Sequence, residues 1–257
     1  MTLLQAIILG IVEGLTEFLP ISSTAHLMLT SELLHLPTTE FLKTFEISIQ
    51  LGAILAVVAV QWRRLTQSIG IWTRVAAAFV PTAIVGFLLH DLVKSVLLES
   101  IPTVLWSLSI GGGVLILFSL FHKEKESDVR DIEDMTHVQA ALVGLAQAVA
   151  IVPGVSRAAA TIVGGQLLGV GRRAIVEFSF LLAIPTIGAA TALDLLKSGD
   201  AVTRADLPLL LAGGLVSFVV ALLTIRWFLG VVNRLSFSVF GIERIAIASL
   251  FFLWWIS

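Results

Sequence analysis

The sequence predicts an all-α integral membrane protein: six transmembrane helices plus two re-entrant helix hairpins arranged as an inverted-topology repeat. Three observations predict it: apolar runs that follow one another nearly end to end, two interruptions that each place proline beside serine, and an internal similarity offset by 131–134 residues. Composition supports the first. Of the 257 residues 57% are hydrophobic and 13% charged, with a mean hydropathy of +1.01. A soluble domain carries about 25% charged residues, so lipid is the solvent for most of this chain. The net charge of −2 offers no basic surface of the kind that nucleic acids need, and no nucleic-acid partner is expected. The absence of cysteine excludes disulfides, a thiol nucleophile and cysteine-based metal sites. The N-terminal segment Met1 to Gly10 has neither a basic stretch nor a small-residue cleavage site, so it reads as part of the mature fold rather than a signal peptide.

Crossing the hydrocarbon takes ~20 apolar residues, and runs of that length lie near 40–62, 70–90, 99–121, 172–196, 206–230 and 237–256. Regions 2–36 and 138–170 are apolar but broken, at Leu19-Pro20-Ile21-Ser22-Ser23-Thr24 and at Val152-Pro153-Gly154-Val155-Ser156-Arg157. Each half is too short to span, and Pro beside Ser ends one helix and caps the next. These are the two re-entrant hairpins. Irregular backbone at membrane depth is tolerated only against protein or a watery cavity, so each break is a candidate site wall. Six spans put both termini on one side. The loops of that side carry Lys43, Lys94, Lys197 and Arg204. The opposite loops carry ten Lys and Arg residues, among them Arg63, Arg64, Arg74, Arg172 and Arg173. The positive-inside rule therefore places the termini outside the cytoplasm. Tryptophans cluster near span ends as an aromatic belt would, with Trp106 deeper.

The two broken regions match. Leu9, Gly10 and Glu13 correspond to Val143, Gly144 and Gln147, a serine follows each glycine twelve residues on (Ser22, Ser156), and Phe45 to Ser48 echoes Val176 to Ser179. The expected organisation is a first repeat over 1–122, a cytoplasmic linker over 123–136 and a second repeat over 137–257, forming one membrane domain. An odd number of crossings inverts the second copy, which sets paired broken helices face to face near the midplane.

Eight ionisable residues fall in the predicted membrane zone: Glu13, Glu17, His26, Glu46, Arg157, Glu177, Glu243 and Arg244. Insertion scales charge about 2.5–3.5 kcal/mol for each mid-bilayer charge, so these groups must be paired, solvated or neutral. Glu13 and Glu17 share a helix face at i, i+4. They read either as a pair for a divalent metal or an arginine, or as interfacial acids reaching water. Ser22, Ser23, Thr24 and His26 open a helix, where free N–H groups and hydroxyls suit a phosphate; simple capping explains the same residues. Arg157 beside Gly154 and Ser156 offers a planar fork for phosphate or a structural ion pair with Glu13, Glu17 or Glu177. Thr161 either lines the same wall or bonds its own helix. Glu46 and Glu177 read as supports that hydrogen-bond the opposing hairpin. Glu243 and Arg244, adjacent and pointing apart, carry little specific information. His35, His90, His122 and His137 read as ordinary interfacial residues.

The run from Glu13 to His26 closely resembles the first signature of the bacitracin-resistance type undecaprenyl-diphosphatases. Pro153-Gly154-Val155-Ser156-Arg157-Ala158-Ala159-Ala160-Thr161 resembles the second, with Ala158 where the family usually has serine, and Ala25 and Ala159 where glycine is common. Segments at Phe45 to Gly52, Glu177 to Leu182 and Ala190 to Asp194 are similar too, so the resemblance runs the length of the chain. It implies an integral enzyme of the bacterial cytoplasmic membrane that removes the terminal phosphate of a polyprenyl diphosphate on the outer side, recycling the lipid carrier for cell-wall synthesis. It also implies a divalent cation, Mg²⁺ or Ca²⁺, with Glu13 and Glu17 as the acidic pair. Ser23, His26 and Arg157 carry over as hydroxyl, imidazole and charge clamp at the phosphate. The resemblance leaves the nucleophile (Ser23, His26 or water) and the oligomeric state, homodimer included, open. An ion-coupled transporter or lipid flippase is the alternative from another class, since inverted repeats and midplane acids are common there.

Overall fold

The computed structural model describes residues 1–92, 100–125, 128–198 and 203–256. Among the described residues ten α-helices follow one another: α1 (Leu3–Thr16), α2 (Ser23–Leu33), α3 (Glu40–Gln67), α4 (Ile69–Leu92), α5 (Ile101–Phe121), α6 (His137–Ala148), α7 (Arg157–Leu167), α8 (Arg172–Ser198), α9 (Leu207–Val231) and α10 (Ser238–Trp255). Six of them (α3, α4, α5, α8, α9 and α10) are long and apolar enough to cross a membrane, and they match the six runs read from sequence. No strand occurs among the described residues. Lys94, one of the charges used for orientation, and the His90 side chain lie outside the described residues.

The two broken regions are each a pair of short helices, α1–α2 and α6–α7. The second break carries an extra 3₁₀ turn at Val149–Ile151. Ser22 and Ser156 cap α2 and α7, accepting from the N–H of Ala25 and Ala159. Both caps sit at positive φ, 74° and 76°. That region disfavours side chains with a Cβ, and such strain persists only where surrounding structure enforces it.

The halves pack reciprocally. The first pair's α1 lies against α9 and the second pair's α6 against α4, while α3 meets α8 and α5 meets α10. Glycine permits the two equivalent close approaches. A Cβ on Gly10 would stand 2.5 Å from the Gly213 carbonyl oxygen, and one on Gly144 would stand 2.8 Å from the Ala78 Cα. Within this frame α8 is the innermost helix, with 67% of its most apolar window buried, and α3 follows at 50%; α4 at 17% is mostly left to lipid. The hydrophilic linker is no loose tether. Ile132 and Met135 are fully buried, and Arg74 on α4 donates to the backbone carbonyls of Met135 and Glu133.

Candidate functional site

Both breaks open on one cavity of about 120 Å³. Ten residues read from sequence as catalytic, phosphate-binding or metal-binding, and the cavity gathers seven of them: Glu17, Ser22, Ser23 and Thr24 from the first break, and Gly154, Ser156 and Arg157 from the second. Ala150 and Pro153 at the second break, Gln50 of α3 and Ile187 of α8 complete the wall. The N-termini of α2 and α7 thus both end at this cavity, so unpaired backbone donors and two positive dipole ends add to the arginine.

Glu17 is the hub. It caps α1, and its N–H donates to the Glu13 carbonyl at 3.0 Å. One carboxylate oxygen accepts from Arg157 Nη2 at 3.0 Å, and the other from the Ser23 hydroxyl. Arg157 also donates through Nη1 to the Ser179 carbonyl at 2.8 Å and lies 6.0 Å from the Phe18 ring centroid. A cation from the second break is thereby fastened to an acid and a hydroxyl from the first. The ion pair with Glu17 leaves donors for a further ligand, because the guanidinium has five and still lines the cavity.

Three of the ten residues lie behind the cavity wall. His26 turns toward α10. Its Nδ1 is 2.8 Å from the Ser22 carbonyl oxygen and its Nε2 is 2.8 Å from Glu243 Oε1. A carbonyl only accepts, so Nδ1 carries a proton, and neither nitrogen faces the cavity. Thr161 is fully buried, donating to the backbone of its own helix and meeting Ser179 Oγ at 2.6 Å. It steadies the residue whose carbonyl holds Arg157. Glu13 is fully buried beside Glu17, and among the described residues no N–H or O–H group donates to its carboxylate oxygens. Ala158 is buried in the core, so the hydroxyl that the family usually carries there would not line this cavity.

Four expectations change. Glu46 of α3 accepts from Ser31 of α2 at 2.6 Å, within its own half of the chain rather than from the second broken pair. Glu177 pairs with Arg64 and Arg173, both at 3.0 Å. Glu243 partners His26, as above, and Arg244 is fully buried with its guanidinium on both breaks. The last two had looked uninformative because adjacent helical residues diverge by about 100°, and only packing decides what each meets. Gln50 was also missed as a wall residue; an amide inside an apolar span was the available signal.

A divalent cation takes oxygen ligands, often two carboxylates plus substrate phosphate and water. The two orphaned oxygens of Glu13, one turn from Glu17 and within electrostatic reach of it, fit such an ion. No group of three or more acidic or histidine side chains with metal-site geometry occurs among the described residues.

Fold and site together define a polytopic membrane protein with a polar cavity where two broken helix pairs meet. The chain belongs to the bacitracin resistance protein BacA family, which it matches over residues 6–250. It is 46% identical to the undecaprenyl-diphosphatase of Aquifex aeolicus, covering 98% of each chain. It is 47% identical to that of a Sulfurihydrogenibium species, over 99% of this chain and all of the relative. With that of Thermus thermophilus it shares 46% identity over 96% and 95%.

Proposed function

We propose that this protein hydrolyses undecaprenyl diphosphate to undecaprenyl phosphate and inorganic phosphate. Full-length similarity to enzymes of that name supports the substrate, and one observation carries the chemistry: Ser23, Glu17 and Arg157 converge on a cavity fed by two helix N-termini. The terminal phosphoryl group enters this cavity while the lipid chain stays among the helices. Arg157 and the free N–H groups of α2 and α7 hold its oxygens and stabilise the charge that develops on them.

The nucleophile is the Ser23 hydroxyl, because it donates its proton to Glu17. As Ser23 Oγ bonds to the terminal phosphorus, the bond from phosphorus to the bridging oxygen breaks and undecaprenyl phosphate leaves. Glu17 takes the serine proton and yields it to the departing undecaprenyl phosphate, which leaves the carboxylate free for the second half. Water then attacks the phosphoserine, its proton passes to Glu17, inorganic phosphate departs, and Glu17 reprotonates Ser23. His26 holds the Ser22 carbonyl and so the strained cap before the nucleophile. A divalent cation held by Glu13 and Glu17 would neutralise charge on the diphosphate.

The two broken pairs are re-entrant hairpins of an inverted repeat, a reading supported by their short helices and reciprocal packing. The termini and the active site face outward from the bacterial cytoplasmic membrane, as the loop charges favour. Purified protein given a polyprenyl diphosphate and Mg²⁺ or Ca²⁺ should release inorganic phosphate, with Arg157→Ala near background. Full activity in that variant would overturn the reading. For the topology, single cysteines introduced at 128–134 into this cysteine-free chain should resist labelling by an impermeant reagent on intact cells; labelling there reverses the orientation.

A further inference from the structure

Arg244 lies midway along α10, is fully buried and has no carboxylate within ion-pairing distance among the described residues. Its guanidinium instead donates to four backbone carbonyls. Nη2 reaches Gly154 at 2.6 Å and Ser107 at 3.1 Å; Nη1 reaches Val155 at 3.0 Å and Pro20 at 3.4 Å. Three of these belong to the two breaks and the fourth to α5. A buried charge is retained where it is well solvated by dipoles, and this one takes its solvation from the loops that line the cavity.

A trans peptide unit is planar, with its C=O and N–H pointing in opposite directions. Drawing the Val155 carbonyl toward Arg244 therefore turns the Ser156 N–H away from Arg244, on a residue that lines the cavity. Among the described residues no backbone carbonyl accepts that N–H. The same grip fixes the positive-φ backbone of Gly154 and Ser156, which would otherwise relax.

We propose that Arg244 is a positioning residue for phosphate. By gathering the carbonyls of both breaks it aims the Ser156 N–H at the phosphoryl oxygens and keeps Arg157 registered against Glu17. This rests on the proposed phosphatase reaction. The ligands that feel it are the terminal phosphoryl group of a diphosphate and free inorganic phosphate, both of which fill the terminal-phosphate position.

The test uses the purified full-length protein, with inorganic phosphate as a competitive probe. Arg244→Met should lower kcat about 100-fold, as the loss of a preorganised oxyanion donor does, and should weaken inhibition by phosphate at least roughly tenfold. Arg244→Lys should recover only part, because one ammonium cannot reach four carbonyls. Gly111→Ala gives an independent perturbation: its Cβ would stand 2.8 Å from Arg244 Cζ, displacing the guanidinium without removing its charge. It should lower kcat and phosphate inhibition in the same sense, while Gly113→Ala, whose Cβ meets nothing within 4 Å, should leave both unchanged. Wild-type kcat and phosphate inhibition in a folded Gly111→Ala or Arg244→Met protein would overturn the proposal, even if thermal stability falls. An inactive wild-type protein would instead refute the phosphatase reading.

Discussion

Replacing Ser23 by alanine separates two chemistries by the size of the effect. The hydroxyl is buried at the start of α2 and donates to Glu17, whose other oxygen is held by Arg157. If Ser23 only orients a water molecule, its loss removes one hydrogen bond to a charged group, worth about 1.5–3 kcal/mol, or roughly 10- to 150-fold in rate. If Ser23 is the nucleophile, the covalent route vanishes, and removing a nucleophile costs on the order of 10⁶-fold in kcat in a well-studied serine enzyme. The expected outcome is a fall of at least about 10⁴-fold, between those limits and well clear of the first. Stability should change little, because the vacated site borders the cavity and water can replace the hydroxyl as donor to Glu17. The assay is phosphate release in detergent, paired with acid quenching of protein turning over a substrate labelled in its terminal phosphate. Label should remain on the wild-type chain and be absent from Ser23→Ala. Residual activity above about a hundredth of wild type would refute the covalent mechanism, since the hydrogen-bond loss alone accounts for that much.

Two further outcomes follow from the acids behind the cavity. Glu13→Gln removes a buried carboxylate with no hydrogen-bond donor to it among the described residues, so in chelator its melting temperature should equal or exceed that of wild type. Added Mg²⁺ or Ca²⁺ should raise the melting temperature of wild type only, and a cation response retained in the variant would remove Glu13 from the metal site. Glu243→Leu leaves the His26 Nε2 without its acceptor and frees the ring that holds the Ser22 cap. It should lower kcat about tenfold, in line with one charge-assisted hydrogen bond, with Glu243→Gln closer to wild type because its amide oxygen still accepts; equal kcat in both variants and wild type would dismiss this support.

The six spans were legible because lipid imposes a length and an apolar composition on any crossing helix, and residues such as those from Ile101 to Phe121 satisfy both without regard to neighbours. The two breaks were legible for a local reason as well. Pro20 and Pro153 cannot continue a helix, and Ser22 and Ser156 cap the next one within a few residues. The cost of burying charge then marked Glu17 and Arg157 as site candidates before any contact was known. Which of its candidate acids Arg157 meets, and what His26 meets at all, was not legible, because both depend on residues more than a hundred positions away. Arg157 meets Glu17 across 140 residues and His26 meets Glu243 across 217. The periodicity of α10 gave Glu243 and Arg244 only divergent directions; that one supports His26 while the other draws both breaks together follows from where α10 packs against α5. Thr161 and Ser23 show the same division. Both are hydroxyls near a helix start at a break, yet the turn of each helix sends one into Ser179 and the other to Glu17 at the cavity. Residue chemistry alone marks which side chains are too polar for lipid and where the chain must break. Their pairing came from packing, because a hydrogen bond depends on distances and angles that are set when both halves have met.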